Sequence, residues 1–117
     1  MKIPGPDHPI TITPSSDRVR VTFNGTVVAD TKRALVLQEA AYKPVFYIPR
    51  EDAQMALFER TTNSTHCPYK GDASYYSIAL PGLTDAVWTY RTPYGSVAPI
   101  AGHVAFYTDR VEVVVAD

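Results

Sequence analysis

The chain has 117 residues, a formal net charge of −1 and a hydrophobic content of 45%, which fits one domain of common size with one core and argues against disorder. The charges are scattered with no basic stripe, so the sequence predicts no nucleic-acid partner and no attraction to an anionic membrane surface. No stretch approaches the roughly 18 apolar residues that cross a bilayer and Met1–Pro6 has no apolar leader, so the expectation is a cytoplasmic protein with no membrane association.

Residues 1–17 are rich in Pro, Ser and Asp and read as an extended arm with one short strand at Ile10–Ile12. Arg18 to Phe23 alternates, with Val19, Val21 and Phe23 on one face, as a half-buried strand does. Asn24-Gly25 follows at once, and Thr26–Ala29 returns; Asn-Gly supplies the two positive φ angles of a type I′ turn, which makes this a hairpin.

Ala34–Gln38 and Val45–Ile48 read as the next strands, broken by Tyr42-Lys43-Pro44. After Pro49, the acidic Glu51 and Asp52 and the spacing of Ala53, Met55, Leu57 and Phe58 predict a short helix through Phe58. Arg60–Asp72 has the composition of a long loop, Ala73–Leu80 of a Tyr-rich strand, and Pro81–Asp85 of a turn. Ala86–Tyr90 is a further strand, and Arg91–Pro99 a Pro/Gly loop with a helical turn near Val97. Gly102–Tyr107 and Arg110–Val115 read as a closing hairpin around Thr108-Asp109. About eight closely spaced strands and one short helix predict a mainly β, antiparallel sandwich or partly open barrel, with residues 1–117 as a single domain.

The most chemically loaded stretch is Thr65-His66-Cys67-Pro68-Tyr69-Lys70-Gly71-Asp72, which sets an imidazole, a thiol, an amine and a carboxylate within seven residues. Cationic neighbours such as Lys70 or His66 activate a thiol by favouring its thiolate, which makes Cys67 a candidate nucleophile or redox group. A lone cysteine is also commonly a small buried hydrophobe, and that reading stands beside the first. Cys67 is the only cysteine, so neither an internal disulfide nor a four-cysteine zinc site is available. His8, His66, Cys67 and His103 lack zinc-ligand spacing, so no metal is predicted, and no phosphate-loop, dinucleotide or serine-elbow motif names a cofactor.

Aromatic density forms the second signal. Trp88 and Tyr90 share one face of their strand, as do His103, Ala105 and Tyr107 of theirs. Convergence of these sets with Tyr75 would line a cup with hydroxyls at its rim, the usual make-up of a small-molecule site, whereas rings that only fill the core would not.

These segments carry a resemblance. Ala34-Leu35-Val36-Leu37-Gln38-Glu39, Pro44–Pro49, Thr65-His66-Cys67-Pro68-Tyr69-Lys70-Gly71, Val87-Trp88-Thr89-Tyr90 and Ile100–Tyr107 are similar to a bacterial and fungal family known as domain of unknown function 427, also called a nucleotidyltransferase family. The similarity runs from about Arg18 to Val115. It implies a compact β-tent fold, whose other members bind zinc through cysteine pairs, reduce methionine sulfoxide or hold a small imide among aromatic rings. Zinc does not carry over to a chain without paired cysteines. Nucleotidyl transfer needs paired carboxylates for magnesium, and Asp72, Asp85 and Asp109 are isolated in sequence, so only the fold could bring them together.

The leading expectation is therefore a small-molecule-binding domain. Thr65, Trp88, Tyr90, His103 and Tyr107 would line its pocket and Cys67, Lys70 and Tyr75 would serve as its reactive groups if it is an enzyme. The rival is a non-catalytic module that binds a peptide or partner protein by its aromatic face or a strand edge. Val113-Val114-Val115, near the end of the chain, also suggests an exposed edge through which two copies could pair as a homodimer.

Overall fold

The computed structural model describes residues 1–79 and 82–116. They form ten strands in three antiparallel sheets, so the protein is mainly β, as expected.

The hairpin at Asn24-Gly25 pairs β2 (Arg18–Phe23) with β3 (Thr26–Thr31), and β2 also pairs with β10 (Glu112–Ala116). Asn24 and Gly25 have φ of 53° and 79°, as a type I′ turn requires. Val19 and Val21 are buried while Arg18 and Arg20 face solvent and grip Asp30. A Cβ at Gly25 would meet no atom within 4 Å, so a Gly25→Ala variant tests backbone conformation alone. It should lose about 1 kcal/mol, the cost of a left-handed L-residue. In a thermal melt that is a fall of about 4 °C; an unchanged melt would mean the turn is not under φ control.

β1 (Ile10–Pro14), β4 (Leu35–Glu39) and β5 (Val45–Tyr47) make the second sheet in the order β1-β4-β5. The turn from β4 to β5 begins at Ala40, with φ of 47°, and the Gln38 side-chain amide pins it by donating to the carbonyls of Ala40 and Tyr42. The third sheet runs in the order of β6 (Phe58–Cys67), β7 (Gly71–Ala79), β8 (Gly82–Tyr90) and β9 (Val104–Phe106). Ile48, just past β5, exchanges both backbone hydrogen bonds with Val104, each 2.8 Å, and so stitches the second sheet to the third.

Four expectations are corrected. The helix through Phe58 is absent: Arg50–Asp52 and Met55–Leu57 form separate 3-10 turns. Between them Ala53 is extended and bridges Ala29, and Gln54 N–H donates to the Val28 carbonyl. This pairing with β3 competes successfully with helical hydrogen bonding, while Ala53, Met55 and Leu57 still pack on the core. The loop at Arg60–Asp72 is largely β6, an edge strand so exposed that its residues show no apolar alternation. Its strand state comes from pairing with β7, as in Ser64 with Ser74 and His66 with Asp72. The turn at Pro81–Asp85 is also strand from Gly82 onward; Leu80 and Pro81 lie outside the described residues. Finally, β9 and β10 do not form a closing hairpin: β9 joins β8 while β10 crosses to β2 in another sheet.

β7 explains why the core has two parts. Ala73 and Tyr75 point to a cluster with Leu37, Tyr47, Tyr90 and Ile100, and Tyr76 and Ile78 to a cluster with Val19, Val28, Val87 and Phe106. Ala73, Tyr75, Tyr76 and Ile78 are thus buried on the two faces of the strand, with Ser74 and Ser77 half-buried between them. The predicted helical turn near Val97 is a 3-10 segment, Gly95–Ile100, that buries Val97 and Ile100 against the first of these clusters.

Candidate functional site

The turn between β6 and β7 positions the key side chain. Lys70 N–H donates to the Cys67 carbonyl and the Lys70 carbonyl accepts from Tyr94 N–H. Gly71 follows with φ of 109°, and the backbone of Thr92, Pro93 and Tyr94 passes 3.7 Å from where its Cβ would stand. That distance is ordinary van der Waals contact, so it is the backbone angle that would strain a side chain there and that glycine tolerates. The turn aims Lys70 across the molecule to Glu39, at the end of β4.

Lys70 Nζ donates to Glu39 Oε1 at 2.5 Å, and the His8 Nε2 atom lies 2.9 Å from Glu39 Oε2. The Lys70 and Glu39 side chains are only 12% and 15% exposed. Desolvation on its own would raise the Glu39 carboxyl, but hydrogen bonds from Lys70 and His8, with the charge beside them, hold it below its ordinary value. The N-terminal arm delivers His8: Lys2 N–H donates to the Pro68 carbonyl, and the His8 ring stacks on Tyr69 with centroids 4.0 Å apart.

This ion pair borders a cavity of about 230 Å³. Tyr47, Tyr75, Trp88, Tyr90 and Tyr107 supply its rings, Leu37 and Val45 its aliphatic wall, and Tyr42 and Lys43 complete it from the turn after β4. Trp88 Nε1 donates to the Tyr47 hydroxyl at 3.2 Å, which leaves that hydroxyl's own proton free to donate. Burial pushes Tyr47 up to about 12, with the Trp88 hydrogen bond acting the other way. Burial also raises Tyr90 strongly, and Tyr107 by burial and then by its contact with Tyr75. All three therefore remain protonated donors at neutral pH. Tyr90 is 6% exposed and lines the cavity, with Lys70 Nζ 6.0 Å from the centre of its ring. A second hydroxyl chain runs along the rim, from Thr65 to Tyr75 (2.9 Å) and from Tyr75 to Tyr107 (3.3 Å).

A family model described as a domain of unknown function, DUF427, matches residues 11–117. The chain belongs to the DUF427 family. No curated protein compared with the sequence matches it.

In this DUF427 chain the cavity gathers Lys70, Tyr75, Trp88, Tyr90 and Tyr107. Thr65 stands one hydrogen bond behind Tyr75. Cys67 is half-buried and packs on the cluster that contains Tyr75 and Tyr90, behind the cavity rather than in its wall. His103 is also off the cavity: its Nδ1 lies 3.2 Å from the Ala101 carbonyl oxygen, and its carbonyl accepts from Thr89. His66 pairs with Asp72 at the exposed end of β6. Asp85 accepts from Thr61, and among the described residues no three His, Cys, Asp or Glu side chains gather as a metal ion would require.

Sequence reasoning missed Glu39, His8, Tyr42, Lys43 and Tyr47. Glu39 ends β4, paired in register with Ile10, and is followed by Ala40 in the left-handed region. Its partners are 31 residues away in both directions, so no local motif could announce them.

Proposed function

We propose that this DUF427 chain is a small-molecule-binding β domain whose ligand occupies the aromatic cavity with its polar end at Lys70. The observation that carries the reading is a largely buried Lys70–Glu39 ion pair at the border of a ring-walled hollow. Core packing gains nothing from such a pair, because taking both charges from water costs as much as their attraction returns. A binding site does gain, since an oriented ammonium and undissociated phenols inside rings recognise a polar group without reorganising.

In this reading Lys70 and the Tyr90 and Tyr47 hydroxyls fix the ligand's acceptor atoms, and Trp88 and Tyr107, packed on each other with ring centroids 4.6 Å apart, wall one side of its body. Tyr75, held by Thr65, acts as a donor at the rim. Cys67 supports the wall from behind, and Glu39 holds Lys70 in place. The cavity is smaller than a drug-sized site, so the part of the ligand it encloses is of metabolite size. Nucleotidyl transfer, implied by the family's other name, finds less support: Asp85 and Asp109 line one shallow hollow, but Asp85 is engaged by Thr61, Asp72 pairs with His66 elsewhere, and among the described residues no third His, Cys, Asp or Glu joins the two.

A thermal-shift screen of metabolites tests the reading. A ligand at one hundred times its Kd adds about 2.7 kcal/mol to the folded state, which is roughly 10 °C in melting temperature. Lys70→Met and Tyr90→Phe keep shape and remove the donors, and each should cut the shift by more than half. A ligand that shifts the wild type and both variants equally binds elsewhere and would overturn the assignment.

A further inference from the structure

The cavity does not end at its rings. A groove of about 460 Å³ lies against it, and the two share Lys43, Val45, Trp88 and Tyr107 as lining. Beyond those four residues the groove is walled by aliphatic and aromatic side chains from the facing sheets, among them Val19, Val21, Phe46, Phe106, Val113 and Val115. One hollow thus presents donors, and the other is mainly apolar, with polar groups at the shared Lys43 and Tyr107 and at Thr108 and Asp109.

Charge gives the polar end its sign. The cavity lining holds two ammonium groups, Lys43 and Lys70, and one carboxylate, Glu39, for a formal excess of one positive charge. Both Glu39 oxygens are already engaged, Oε1 by Lys70 and Oε2 by His8. The unspent capacity of the site therefore consists of N–H and O–H donors: the remaining protons of Lys70 and the hydroxyls of Tyr47 and Tyr90. Such a set suits a carboxylate and disfavours a cationic head group.

We propose that cavity and groove together form one site for an amphipathic monocarboxylate, its head held by Lys70 and Tyr90 and its hydrocarbon chain laid past Trp88 along the groove. The proposal rests on the reading of the cavity as a ligand site and adds the class of ligand. Val115 and Val45 sit half-exposed along this path, and the occupant that would cover them without burying a charge is a hydrocarbon chain continuous with the anchored head.

Trp88 is the sole tryptophan and touches both hollows, so its fluorescence reports occupancy directly. The test titrates the full chain with butanoate, hexanoate, octanoate and decanoate, and with octyltrimethylammonium as the control of opposite charge. Affinity should rise about three- to fourfold for each methylene that enters the groove. The ammonium control should bind at least about tenfold more weakly than octanoate, the scale of one charge-assisted hydrogen bond. Lys70→Met should weaken every carboxylate by a similar factor and leave the chain-length slope intact. Val115→Asp, at a half-exposed groove position, should flatten the slope and leave butanoate unaffected. Saturable binding with no dependence on chain length would overturn the proposal while leaving a cavity that binds short anions. No Trp88 response to any of the carboxylates would also overturn it; the groove would then be open to a polypeptide, and the cavity reading would rest on the metabolite screen.

Discussion

Glu39→Ala should destabilise the protein by about 3 kcal/mol near neutral pH, the low end of what is lost when one member of a buried ion pair is removed. The residual exposure of Lys70 and Glu39, 12% and 15%, sets the value at that end. The variant strands the Lys70 ammonium beside the cavity and releases His8, and with it one hold on the N-terminal arm. The expected fall in melting temperature is roughly 12 °C.

The pH dependence of this loss is specific. Glu39 titrates below its ordinary value in the folded protein, so the folded state binds this proton less readily than the unfolded chain. Its stabilising effect is complete above the unfolded glutamate value of about 4.3 and disappears as pH falls through the lower folded value. Urea melts of the wild type and Glu39→Ala should thus differ fully at pH 6 and converge toward pH 3. Adding Lys70→Met to Glu39→Ala should restore part of the stability, since no charge is then stranded. A difference that is the same at both pH values would show that Glu39 acts only by packing.

The second large effect lies at the seam between sheets. Ile48→Ala should cost about 3–4 kcal/mol, within the usual range for truncating a fully buried isoleucine, and lower the melting temperature by roughly 12–16 °C. Ile48 is 0% exposed and packs with Val19, Val28, Val87 and Val104, while its backbone carries both hydrogen bonds to Val104. Truncation hollows the core where the second and third sheets meet. Tyr47, the preceding residue, holds Trp88 through its hydroxyl, so the same change should alter Trp88 fluorescence. Ile48→Val, which removes one methyl group, should cost about 1 kcal/mol. An Ile48→Ala variant as mild as Ile48→Val would mean that the core collapses around the gap and that the seam is held by its backbone alone.

Local patterns were sufficient wherever a strand has one wet face and one dry face. β2 shows this in Val19 and Val21, and its turn is encoded by Asn24-Gly25, whose φ angles bear the reading out. Trp88 and Tyr90 share the cavity as strand periodicity requires, and the segments that resemble DUF427 lie within the matched family model. Patterns misled where a strand has no dry face. β6 is exposed along most of its length, so its Thr, Asn and Ser composition looked like a loop. They also misled at Ala53, where a bridge to Ala29 holds the backbone extended between two short turns.

The site divides along the same line. Lys70 and the rings were legible because their chemistry stands out in the residue string, yet Cys67, equally conspicuous, packs behind the wall. Glu39 and His8 were silent because a carboxylate acquires its role only from what faces it, and Lys70 faces it from 31 residues away. Alternation and turn chemistry act between near neighbours in the chain, and they decide strands and hairpins. Which strands share a sheet, as with β9 parting from β10, and which charges meet across the hollow are decided by burial of surface between distant segments, a many-body balance that no short stretch of residues contains.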